Sequence, residues 1–195
     1  MKIAGAALAL SMALFPSVVT AQVFDRQPSE SAESFADRVL RLPKGRGDAH
    51  VLAAKWNGRD TIFVDYLNGD DRDVVALIRQ DANAYRKIAV TTGEVEGGNA
   101  DVVAIGFANA DHDSAQELIV ILSWPVQHYD INGTLYDVRI FDDVHPGQTR
   151  LTYLKAASAR FGANSCDCEH RDGKPERYRF KTIADVKARL KHDGF

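Results

Sequence analysis

Four side chains offer the clearest chemistry in the chain: Asn109, Asp111, Asp113 and Glu117, at positions 1, 3, 5 and 9 of the stretch NADHDSAQE. A hard cation such as calcium takes six to eight oxygens, and alternate carboxylates in one tight loop converge on a point. These four are expected to form a metal site with calcium as the cofactor. The competing expectation is a solvated turn, because Asn and Asp suit turns in any case. A second acidic stretch, from Asp65 through Asn68-Gly69 and Asp70-Asp71 to Asp73, carries the same side chains at less regular spacing.

The elements around the loop must hold it. Leu118 to Leu122 is a continuous apolar run of strand length, which predicts a central strand buried on both faces. Asn132-Gly133 reads as a two-residue hairpin turn, because a type I′ turn needs positive φ at both positions. That turn pairs Ile131 with Thr134, Tyr129 with Tyr136 and His128 with Asp137. A His facing an Asp gives a candidate general base, His128 with Asp130, Asp137 or His145; an ordinary cross-strand pair is the alternative. Trp124, His128, Tyr129 and Tyr136, beside a strand break at Pro125, form a candidate binding surface, with burial in the core as its alternative.

The spacing at 109–117, running into the strand ELIVI, resembles the Asp-rich calcium loops of FG-GAP/VCBS repeats, D-x-[DN]-x-D-G-x-x-[DE]. Asn109 stands where that pattern has its first Asp, and Ser114 stands where it has the Gly that eases the sharp turn. The resemblance covers residues 109–122 and, more weakly, 65–78. It implies a bound calcium; two copies are too few to close a β-propeller.

The chain of 195 residues carries a net charge of −3, with 45% hydrophobic and 26% charged residues, a composition suited to one globular domain. Without a basic excess, nucleic acid and anionic membrane are poor partners. Met1-Lys2, the apolar run IAGAALALSMALF and Val19-Thr20-Ala21 read as a signal peptide over residues 1–21, leaving 22–195 as a single β-rich domain. No later run is long and apolar enough to span a membrane. The expected location is the periplasm or the medium.

Cys166 and Cys168, the two cysteines, are expected to be oxidised there. A bridge across two residues closes a small ring and is expected to reduce easily. An intermolecular bridge and a metal site with His170 are the other readings, though two Cys and one His fall short of a zinc set.

The remaining segments fill in the fold. Ser29 to Leu42 predicts a helix capped by Ser29 or Ser31 and stopped by Pro43 and Gly45, followed by a loop from Lys44 to Asp48. Asn57-Gly58 predicts a hairpin pairing Lys55 with Asp60, and Asp81 to Asn83 turns another. Residues 93–99 read as a loop. Leu151, Leu154 and Phe161 share one face of a helix, and Asn164 to Arg177 is polar and aperiodic. Thr182 with Asp185 caps a last helix. The fold class is α+β: a mostly antiparallel meander of about eight strands, as sheet or barrel, with an N-terminal and two C-terminal helices. The function expected is that of an exported, non-catalytic binding or inhibitor module acting on an envelope protein or glycan; a secreted hydrolase using His128 is the alternative. Oligomeric state is not legible.

Overall fold

The structure, a computed structural model, describes residues 22–42 and 48–195. The expected signal peptide, the helix stop at Pro43 and Gly45, and residues 44–47 of the following loop lie outside these residues. The described residues hold ten antiparallel strands in two five-stranded sheets. The first sheet contains β1 (Val23–Asp25), β2 (His50–Trp56), β3 (Arg59–Asn68), β4 (Asp71–Arg79) and β5 (Ala84–Gly93), in the order β1-β5-β4-β3-β2. The second contains β6 (Asp101–Ala108), β7 (Glu117–Gln127), β8 (Ile131–Phe141), β9 (Ser165–His170) and β10 (Pro175–Glu176), in the order β10-β9-β8-β7-β6. The helices are α1 (Ala32–Leu40), α2 (Lys155–Ser158) and α3 (Ile183–His192).

The expected meander is thus divided in two at the 94–100 loop. Both sheets are covered on both faces. Between them, Phe63, Val74, Ala76, Ile78, Ile88 and Val90 meet Leu118, Val120, Leu122, Trp124 and Phe141. Outside the first sheet, Ile62, Val64 and Leu77 pack on Phe35 and Ala36 of α1. Outside the second, Ile119, Ile121, Val138 and Ile140 pack on Ala157, Phe161, Val186 and Leu190. This layering explains the unbroken run in β7: Leu118, Val120 and Leu122 point to the other sheet, while Ile119 and Ile121 point to the helices. All five are fully buried, roughly 1.5–3 kcal/mol each in transfer terms.

Local signals set most element ends. Ser31 Oγ accepts the Ser34 amide and caps α1, and Arg41, in the left-handed region at φ 55°, ends it. Asn57 and Gly58 have φ of 47° and 76°, the type I′ pattern, and Lys55 pairs with Asp60 as expected. Thr182 Oγ1 accepts the Asp185 amide at 3.2 Å and donates to Asp185 Oδ2 at 2.7 Å, capping α3. Residues 65–73 are a tight hairpin between β3 and β4 in which Asn68 faces Asp71. Its Asp65 is buried against Arg72, Oδ1 to Nη1 2.8 Å, while Asp73 accepts from Asn68 and Thr92.

Three expectations are corrected. The turn between β7 and β8 is at Tyr129-Asp130, closed by the His128 amide donating to the Ile131 carbonyl at 2.8 Å, and β8 runs straight through Asn132-Gly133. Gly133 serves close approach to β9 rather than a turn. Tyr136 therefore pairs with Ser123 and Asp137 with Leu122, so His128 does not face Asp137. Second, the polar segment with the cysteines is a strand: Leu135 pairs with Cys166 and Gly133 with Cys168, so β9 extends the sheet. Cys166 and Cys168 are joined as a disulfide, Cα atoms 5.3 Å apart, and both are buried, which restricts a reductant's access. Third, the helix around Leu151 to Phe161 shrinks to α2 and one 3-10 turn, Ala159–Phe161. Its preceding segment runs extended beside the sheets, with the Leu151 amide donating to the Ala89 carbonyl and the Leu154 amide to the Ile140 carbonyl.

Candidate metal centre

The 109–117 loop joins the edge strand β6 to the buried strand β7, and its polar side chains accept the loop's own amides. Asn109 and Asp113 hold the loop's own backbone. Asn109 Oδ1 accepts the His112 amide at 3.1 Å, and Asp113 Oδ1 accepts the Ala115 amide at 2.7 Å. His112 adopts φ 76°, the left-handed conformation, two residues before Ser114, where the expected pattern would place its sharpest bend. Asp111 Oδ1 likewise accepts the Asp113 amide at 3.1 Å, and Asp111 and Glu117 in addition converge with Asp142, just past the end of β8: one carboxylate oxygen from each lies within 4.8 Å of the others. Oxygens on one calcium, ~2.4 Å from it, are at most about twice that apart, so the triad fits one ion. Two of the four expected ligands are therefore brought together, and the third member is one that the loop pattern does not contain.

Glu117 is the centre's anomaly. The residue is 0% exposed. Its Oε2 accepts the Ala110 amide, and its buried Oε1 has no hydrogen-bond partner among the described residues. A buried carboxylate half without a donor is costly unless a proton or a cation meets it. Burial pushes its pKa up to about 7; the Ala110 amide opposes that rise, and the charges of Asp111 and Asp113 add to it. Asp143 is also raised, by burial first, with His145 opposing and Asp142, Asp113 and Asp111 reinforcing. Negative charge is thus concentrated at one end of β7 and β8.

A clamp between the sheets fixes this end. Trp56 Nε1 donates to the Gln116 carbonyl at 2.6 Å, and Asn57 Nδ2 to the same oxygen at 3.0 Å. The Gln116 amide returns a bond to Asn57 Oδ1 at 2.8 Å. The tip of the β2–β3 hairpin is therefore tied to the residue directly before Glu117. Two crevices flank the acids. One, of 210 Å³, is lined by Trp56, Asn57, Arg59, Ile78, Asp143 and Val144. The other, of 430 Å³, includes Asp111, His112, Tyr153 and Phe195 in its wall.

The other expected site residues do not converge. Trp124 is buried between the sheets, its Nε1 donating to the Glu94 carbonyl at 2.7 Å. Tyr136 lies on the opposite face, stacked on Tyr178 with ring centroids 5.5 Å apart. Tyr129 is 83% exposed at the hairpin tip, with Arg171 over its ring at 4.3 Å. His128 and Asp130 share that exposed tip. Asp137 turns inward and accepts from Arg139 Nε at 2.7 Å, while Arg139 Nη1 crosses to Thr91 Oγ1 and the Thr92 carbonyl, both at 2.7 Å. Asp137 and Arg139 thus make a polar bridge between the two sheets.

Asp142 and Asp143 went unseen, and His145 was read only as a partner for His128, because the register was misplaced. With Leu118 opposite Phe141, the next residues outward are Glu117 and Asp142. The signal was present in the sequence as Phe141-Asp142-Asp143, an acidic pair directly after an apolar strand. No protein-family model matches the chain, and comparison with curated proteins and with solved structures likewise finds no match. The functional reading rests on this chain's own residues.

Proposed function

We propose that the protein is an exported, non-catalytic binding module whose loop end is secured by calcium held by Asp111, Glu117 and Asp142. The observation that carries the cation reading is the buried, unpartnered Oε1 of Glu117 beside two further carboxylates. Export is supported by the apolar start of the chain and by a disulfide, which persists in oxidising compartments. No helix among the described residues is long and apolar enough to cross a membrane. The partner class is an envelope protein or glycan. The hydrolase alternative finds no support in the placement of His128, which sits on an exposed turn away from Asp137.

Thermal unfolding in calcium against chelator tests the cation reading. A cation that binds only the folded state adds RT ln(1 + [L]/Kd), about 2.7 kcal/mol at a hundredfold excess. Asp142→Asn should remove the calcium-induced rise in midpoint. Asn109→Ala should lower the midpoint and leave that rise in place, since Asn109 supports the backbone. An unchanged midpoint for the parent protein in millimolar calcium reduces the loop to a solvated turn. A rise lost in Asn109→Ala but kept in Asp142→Asn would restore the four-residue loop set.

A further inference from the structure

We propose that Asp142 is shared between two ions, and that Asp142, Asp143 and His145 form a second metal position suited to zinc. The proposal rests on the calcium reading only through the shared Asp142 carboxylate. One ligand atom from each of the three residues lies within 4.8 Å of the others. His145 Nε2 is 3.4 Å from Asp142 Oδ2 and 3.8 Å from Asp143 Oδ1. Both separations exceed a normal hydrogen bond of about 2.7–3.2 Å. They lie close to the ligand-to-ligand edge of a tetrahedral ion, about 3.4 Å for metal–ligand bonds of ~2.1 Å.

The backbone holds these atoms in place. The Asp142 amide donates to the Thr152 carbonyl at 2.9 Å. The Asp143 amide donates to Asp142 Oδ1 at 2.9 Å, which leaves Oδ2 directed at His145. The His145 amide donates to Gln148 Oε1 at 3.0 Å, and its carbonyl accepts from Arg86 Nη2 at 3.4 Å. Among the described residues, His145 is the only cationic side chain within 4.0 Å of either carboxylate. Glu117, fully buried and with Oε1 unpartnered, brings one carboxylate oxygen within 4.8 Å of an Asp142 oxygen. The acids therefore exceed what a single imidazole can neutralise.

The two positions differ in chemistry. Asp111, Glu117 and Asp142 offer oxygen alone, the preference of calcium. Asp142, Asp143 and His145 add an imidazole nitrogen, which suits zinc and its neighbours. Carboxylate-bridged ion pairs lie about 3.5–4 Å apart, a span that one Asp142 carboxylate covers. Asp143 also lines the 210 Å³ crevice beside Trp56 and Asn57, which gives an ion a route from solvent.

The test strips the purified protein with chelator, saturates it with calcium and titrates it with cobalt(II), an optical stand-in for zinc. One equivalent should produce a visible absorption band that zinc displaces. His145→Ala should abolish the band while keeping the calcium-induced rise in unfolding midpoint. His128→Ala, altered at the exposed turn, should keep both. Absence of the band, or an equal band in His145→Ala, overturns the second position and leaves the calcium position standing. A His145-dependent band in a protein whose midpoint ignores calcium overturns the calcium position and supports the second one.

Discussion

Gly133→Ala is expected to destabilise the protein by roughly 3 kcal/mol, the upper part of the usual range for overpacking. For a chain of this size that is a fall in unfolding midpoint of about 6–12 °C. A Cβ at Gly133 would lie 2.3 Å from the Asp167 carbonyl oxygen, 2.7 Å from Cys168 Cα and 2.8 Å from Cys168 Sγ. Two of these atoms are backbone, and the third is tethered by the disulfide, so none can swing aside. Relief requires β8 and β9 to separate, and β9 carries β10 at the edge of the sheet. The control is Gly58→Ala, where φ is 76° and nothing lies within 4 Å of the added methyl. That change costs only the left-handed strain, about 1 kcal/mol. Equal losses at the two glycines would contradict the register and return Asn132-Gly133 to a turn.

The second large effect is a pH dependence. In chelator, stability should fall by about 3 kcal/mol as pH rises from 4.5 to above 7. The ordinary carboxyl value is 4.5, and the folded value of Glu117 is about 7. Between them the folded protein keeps a proton that the unfolded chain releases. The unfolded state thus binds fewer protons, and stability declines with rising pH. It is at its fullest below 4.5 and levels off above 7, with each unit worth about 1.4 kcal/mol. Saturating calcium should flatten the decline, because the cation takes the place of the proton against Oε1. Glu117→Gln should flatten it without calcium. Denaturant midpoints across pH 4.5–8 decide the matter, and a Glu117→Gln variant with the parent's slope would assign the decline to other groups.

What the sequence disclosed depended on how locally each feature is determined. The α1 and α3 caps and the Asn57-Gly58 turn are settled within a few residues, and all three were legible. The buried strand β7 was legible too, because burial on both faces leaves an unbroken apolar run. The Asn132-Gly133 turn failed because glycine serves two purposes, positive φ and close approach, and only the neighbouring strand reveals which. That strand was itself obscured, since Cys166, Asp167, Cys168 and Glu169 give a polar, aperiodic reading. The misplaced turn moved β8 along β7 and separated Glu117 from Asp142, so the convergence of Asp142 with the loop's carboxylates was not visible. Acidic residues at 109–117 were found by composition, whereas the convergence of Asp111 and Glu117 with Asp142 required the third dimension.

The bond from Trp56 to the Gln116 carbonyl has an optical consequence. Indole emission follows the polarity and hydrogen bonding around its ring, and this ring is anchored one residue from Glu117. The chain's other tryptophan, Trp124, is anchored to Glu94 in the separate 94–100 loop. Silencing Trp124 with phenylalanine would leave an intrinsic fluorophore that reports events at the acidic end of β7 from the opposite sheet, without a label or a chromogenic ion.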